Sequence, residues 1–170
     1  MVVTSAQAAK LLKKLNEEYN ALANRERLSS TFLAASGEDP ESLRPEYDYA
    51  ETQQKLNELE SRIRTVRHAL NVFNSTHEVP GFDMTVDQIL VYIPQLTARV
   101  AKLSEMKSKL PKMRVEERYG KASNIIDYTY VNYDIKTVES DFEKASDELS
   151  RAQIALDTLN NTETFEIEIE

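Results

Sequence analysis

A chain of 170 residues with 41% hydrophobic and 29% charged residues has enough apolar material for one domain with a wide wetted surface. With no Cys, disulfides, thiolate nucleophiles and Cys-based metal sites are excluded, and no run approaches the roughly 20 apolar residues of a membrane-spanning helix. The net charge of −8 comes from residues 134–170, which hold 11 acidic against 3 basic residues, so general affinity for nucleic acid is not expected.

Met1 to Gln7 has no basic start followed by an apolar run, so no signal peptide is expected and the chain reads as cytoplasmic. Ser5 is placed to cap a first helix running to about Arg27, with Ala8, Leu12, Leu15, Tyr19 and Leu22 along one side. Residues 28–35 read either as two more turns of helix or as a strand, the Ser and Thr content favouring strand. Residues 36–45, with Gly37, Pro40 and Pro45, are a connector.

A second helix is expected from about Glu46 to Asn74. Its apolar positions are Tyr49, Leu56, Leu59, Ile63, Val66, Leu70 and Phe73, spaced by threes and fours except where Thr52 intervenes. Residues 74–84 form the next connector. Thr85 and Gln88 have capping-box spacing and open a third helix, with Ile89, Ile93, Leu96, Val100 and Leu103 on its seam and Pro94 expected to kink it. That helix runs to about Lys109, and Pro111 marks its end.

Residues 112–124 are polar and charged. Ile125 to Tyr133 is the strongest strand signal, dense in β-branched and aromatic residues. Asp134 can cap a fourth helix to about Leu159, whose seam is Val138, Phe142, Ala145, Leu149, Ala152, Leu156 and Leu159. Residues 163–170 alternate strictly, with Phe165, Ile167 and Ile169 on one face, and are expected to pair with 125–134 as a small sheet. The reading is a single mainly α (α+β) domain over 1–170. It has four long amphipathic helices in antiparallel, coiled-coil-like pairs with a two- or three-stranded sheet.

No set of residues forms a recognisable reacting group. His68 and His77 lack the i, i+4 spacing of two ligands on one helical face, and no Glu-x-x-His occurs, so neither a metal nor a cofactor is expected. Gly37, Gly81 and Gly120 are isolated and make no phosphate loop, and Ser104-Glu105-Met106-Lys107 has no companion motif. The chain therefore reads as non-catalytic.

One basic run stands out: Arg99, Lys102, Lys107, Lys109, Lys112, Arg114, Arg118 and Lys121. It reads as a weak anion patch, set against the simpler account of a solvated face that pairs with the acidic fourth helix. Tyr128 and Tyr130 share one strand face, but no basic residue lies between Lys121 and Lys136, so half-buried sheet tyrosines are expected rather than a base-stacking platform. A narrow seam calls for a partner. Leu56, Leu59, Ile63, Val66, Leu70, Phe73, Phe142, Leu149 and Leu156 are the expected interface of a homo-oligomer.

The order of parts resembles the septicolysin-like family of small bacterial proteins. The resemblance rests on Glu38-Asp39-Pro40 after the first helix, Leu56-Asn57-Glu58-Leu59-Glu60-Ser61-Arg62-Ile63, and Asn74-Ser75-Thr76. It extends to Thr85-Val86-Asp87-Gln88-Ile89-Leu90 and Leu156-Asp157-Thr158-Leu159-Asn160-Asn161-Thr162. It implies a small helical protein and, through the family name, contact with membranes and a cytolytic role, with no catalytic residues to carry over. The expected function is that of a helical interaction or scaffold protein, with a membrane-active lysin and a weak nucleic-acid-associated protein as the alternatives.

Overall fold

The computed structural model describes residues 1–115 and 126–169. It is mainly helical, and its four long helices match the four apolar seams. In order the elements are β1 (Val2–Thr4), α1 (Ser5–Ser29), α2 (Pro40–Leu43), α3 (Tyr49–Thr76), α4 (Val86–Lys107), β2 (Lys112–Arg114), β3 (Tyr128–Tyr130), α5 (Ile135–Thr162) and β4 (Thr164–Glu166). No helix among the described residues is long and apolar enough to cross a membrane. The chain divides into two compact units: Met1–His77 with Thr158–Glu170, and Glu78–Asp157.

The first unit is built on the antiparallel pair α1 and α3. Thr4, not Ser5, caps α1. Its hydroxyl accepts from the Gln7 N–H at 3.2 Å, and the Gln7 side chain accepts from the Thr4 N–H at 3.0 Å, a reciprocal capping box. Ser5 is instead buried in the first turn and donates to Asn160 Oδ1 at 2.7 Å. Between the helices, Tyr19 donates to Glu60 at 3.2 Å and Tyr47 to Glu26 at 2.8 Å. Ala8, Leu15 and Val66 are buried between them, flanked by Leu11, Leu12, Leu59, Ile63 and Leu70.

Three sequence expectations are corrected here. Residues 28–35 are not a strand: α1 continues to Ser29, Ser30 closes it by donating to the Glu26 carbonyl, and 31–35 have no regular structure. Tyr49 is not on the seam. Asp48 caps α3, Tyr49 is its first residue and is exposed, and Tyr47 takes the inward place. The terminal strand does not pair with 125–134. β4 pairs with β1 in the register Val2↔Glu166, Val3↔Phe165, Thr4↔Thr164, while β3 pairs with β2 in a separate ribbon. The physical reason is the N-terminal Val-Val-Thr, a β-branched run too short to stand out beside a strong helix signal. It offers the terminal strand a partner on which Val3 and Ile167 are both buried. The Met1 amino group donates to the Ile167 carbonyl at 2.6 Å, and the Ile167 N–H returns a bond to the Met1 carbonyl at 2.8 Å.

In the second unit α4 and α5, up to Asp157, also run antiparallel. Tyr92 donates to Glu148 at 2.7 Å near one end of the pair, and the Lys107 ammonium lies 3.6 Å from the Phe142 ring centre near the other. Thr85 opens α4 with its N–H donating to Gln88 at 2.9 Å, and α4 continues through Pro94. Asp134 holds the start of α5, accepting from the Lys136 N–H at 3.0 Å and the Thr137 hydroxyl at 2.9 Å. Ahead of α4, Glu78 bridges to Thr85 around a tight loop. Gly81 there has φ of +81°, a conformation that suits a residue without Cβ. Residues 112–114, polar and charged in sequence, are strand β2 because the 128–130 segment supplies their ladder partner. Ile125 of the expected strand, and Arg118 and Lys121 of the basic run, lie outside the described residues.

Candidate functional site

The nine seam residues expected at an interface do not share one fate. Leu56, Val66, Phe73 and Leu156 are buried, while Leu59, Ile63, Leu70, Phe142 and Leu149 are half-buried. Leu59, Ile63 and Leu70 pack against the core of the first unit. An apolar stripe alone does not say whether its partner is another segment or another molecule.

In the first unit a cleft of about 350 Å³ opens where the end of α3 meets β4. Phe73 and Phe165 line it, ring centres 4.8 Å apart, and the His77 ring stacks on Phe73 at 4.0 Å. His68, Glu166 and Glu168 complete the wall. The sequence treats the two histidines as unrelated. The fold brings both to one cleft because His68 is on the flank of α3 and His77, one turn past Phe73, is its C-terminal cap. The His77 Nδ1 lies 3.0 Å from the Phe73 carbonyl. A carbonyl only accepts, so His77 is the donor in that contact. Among the described residues no three His, Asp or Glu side chains converge closely enough to hold a metal ion. What the cleft offers is stacking and hydrogen bonding.

In the second unit the basic run separates into two groups. Arg99 and Lys102 line a groove with Asp141, Lys144 and Glu148, so these cations face the acidic helix. Lys107 sits over Phe142, and Lys109 pairs with Glu105 at 3.0 Å. That pairing raises the Lys109 pKa.

The second group is on the β2–β3 ribbon. Its register sets Lys112 opposite Tyr130, Met113 opposite Thr129 and Arg114 opposite Tyr128. Paired residues share a face, so Lys112, Arg114, Tyr128 and Tyr130 are together on one face and Met113 is on the other. Lys112 Nζ is 3.9 Å from the Tyr128 ring centre and 5.5 Å from that of Tyr130, and the two rings are 6.5 Å apart. Tyr128 is 43% exposed and Tyr130 61%, not half-buried as expected. No cation lies along the tyrosine strand itself; Lys112 and Arg114 lie across the ladder, at least 14 residues away in the chain.

Other perturbed groups fasten the helices and their connector. Partial burial, then the bond to Glu26, pushes the Tyr47 phenol up to about 12. The bonds to Glu60 and Glu148 raise Tyr19 and Tyr92. Arg44 beside Glu41 in the connector holds that carboxyl below the usual carboxylate range. Each of these shifts moves its group further from neutral pH.

No protein-family model matches the chain, and no curated protein matches it. A solved structure does. It is described as a functionally unknown conserved protein from Corynebacterium diphtheriae, and it is 17% identical with a TM-score of 0.60. The match covers 98% of this chain and 100% of that one, so the likeness extends over the whole fold.

Proposed function

We propose that this is a non-catalytic interaction protein, a helical scaffold that associates with further copies of itself. The observation that carries the reading is the apolar surface left exposed at the β2–β3 ribbon. Met113 is 57% exposed and Val115 44%, and Leu110 and Ile126, which flank the strands in sequence, are exposed as well. Apolar groups gathered on one exposed element favour contact with another protein surface. The ribbon leaves these apolar side chains more exposed than the buried and half-buried seam residues, so we assign self-association to the ribbon. A two-fold contact through the Met113 face needs only one kind of patch, which suits a homo-oligomer.

A non-catalytic role is supported by the character of the polar groups. The shifted tyrosines and Lys109 are moved away from the range useful for proton transfer near neutral pH. Light scattering across a wide concentration range tests the proposal. A mass that rises with concentration is expected, and a Met113→Glu/Val115→Glu double variant should stay monomeric. A wild-type protein that is monomeric throughout would overturn it.

A further inference from the structure

The geometry points to the Tyr128–Tyr130 face of the β2–β3 ribbon as a binding site for single-stranded nucleic acid. Two tyrosines at i, i+2 stand on one exposed face, 6.5 Å apart and tilted by 52°, so each ring can take one base. Lys112 and Arg114 stand opposite them on the same face, where a backbone passing over the rings places its phosphates.

Lys112 now lies against Tyr128 as a cation–π partner. A base stacking on that ring would displace the ammonium, which then has a phosphate within reach of its flexible stem. The site therefore exchanges one interaction for two. A duplex keeps its base faces stacked internally and cannot offer them to the tyrosines, so a single strand is the ligand that fits.

A lipid surface fits less well. A bilayer takes up apolar side chains and pairs its headgroups with cations from the same side. Within the strands the pleat sets the one aliphatic side chain, Met113, on the face opposite the two cations and the tyrosines. The chain's net charge of −8 comes from residues 134–170, outside the ribbon, so binding should be local, modest and sensitive to salt.

The test is fluorescence anisotropy of labelled oligothymidylate and oligouridylate of about twenty nucleotides, titrated with the full chain at ~50 and ~200 mM salt. Binding is expected, weaker at the higher salt. Replacing both rings, Tyr128→Ala/Tyr130→Ala, leaves the charge unchanged and should weaken binding about tenfold or more. Tyr128→Phe/Tyr130→Phe keeps the stacking surface and should bind as the wild type does. Lys112→Gln/Arg114→Gln should weaken binding and flatten its salt dependence. All four residues are exposed, and circular dichroism confirms that each variant is folded.

Three results would overturn the site: no anisotropy change at ~100 μM, a concentration well into the range of non-specific binding; undiminished binding by the alanine pair; or a preference for duplex of the same length. Sedimentation with anionic vesicles, lost in the same variants while oligonucleotides fail to bind, would replace it with a membrane site. Self-association through Met113 is read from mass alone, so the two proposals fail separately.

Discussion

The described residues form two short antiparallel ribbons of similar size, and they serve opposite ends. The β1–β4 ribbon ties the two described ends of the chain together and buries Val3 and Ile167 in the core of the first unit. The β2–β3 ribbon has all six of its strand residues exposed. Pairing backbone groups satisfies hydrogen bonds in both cases, but only burial of side chains adds the hydrophobic term. The first ribbon is therefore a fastening. The second presents side chains outward, and the work of those side chains is sought in binding rather than in stability.

The sharpest way to break this comparison is to truncate one apolar residue in each ribbon. Ile167 is 1% exposed, and Ile167→Ala should cost about 2–5 kcal/mol in a urea titration, from lost burial and the cavity left behind. Met113→Ala should move stability by less than about 0.5 kcal/mol at a concentration low enough to keep the protein monomeric. Equal effects would mean that the exposed ribbon also carries the fold.

Thr4 sharpens the same point, since it ends β1 and caps α1 at once. Thr4→Ala should cost about 1 kcal/mol, and Thr4→Ser much less because the capping oxygen is kept. A third test concerns the tyrosine fastenings. The folded-state pKa of Tyr47 is raised, so the neutral phenol is favoured by folding. Its contribution is complete below pH 10 and is lost as pH rises from about 10 to about 12. Alkaline unfolding monitored by circular dichroism should show that loss, and Tyr47→Phe should remove that part of the pH dependence. The smallest effect has the opposite sign. Ser146 on α5 has its hydroxyl buried with no hydrogen-bond partner among the described residues, so Ser146→Ala should raise stability by roughly 0.5–1 kcal/mol.

What the sequence determined by itself is the helical frame. Threes and fours in the spacing of Leu15, Val66, Ile89 and Leu96 place those residues inside, and all four are buried. The caps at Thr85 and Asp134 were legible because a cap is a contact between near neighbours. The alternation of Phe165, Ile167 and Ile169 was legible for the same reason, since a period of two is a local property.

The tertiary structure alone decided everything that depends on which segment meets which. Alternation marks 164–166 as a strand but does not name Val2–Thr4 as its partner, 160 residues away in the chain. The seam from Leu56 to Phe73 demands cover but does not say that α1 provides it. Tyr128 and Tyr130 read as ordinary sheet tyrosines until the register sets Lys112 and Arg114 across from them. Likewise the two histidines share a cleft because one lies on the flank of α3 and the other caps its end. Local spacing fixes which face a side chain takes. Only the closing of long loops fixes what that face meets, and both candidate binding surfaces are made by such closures.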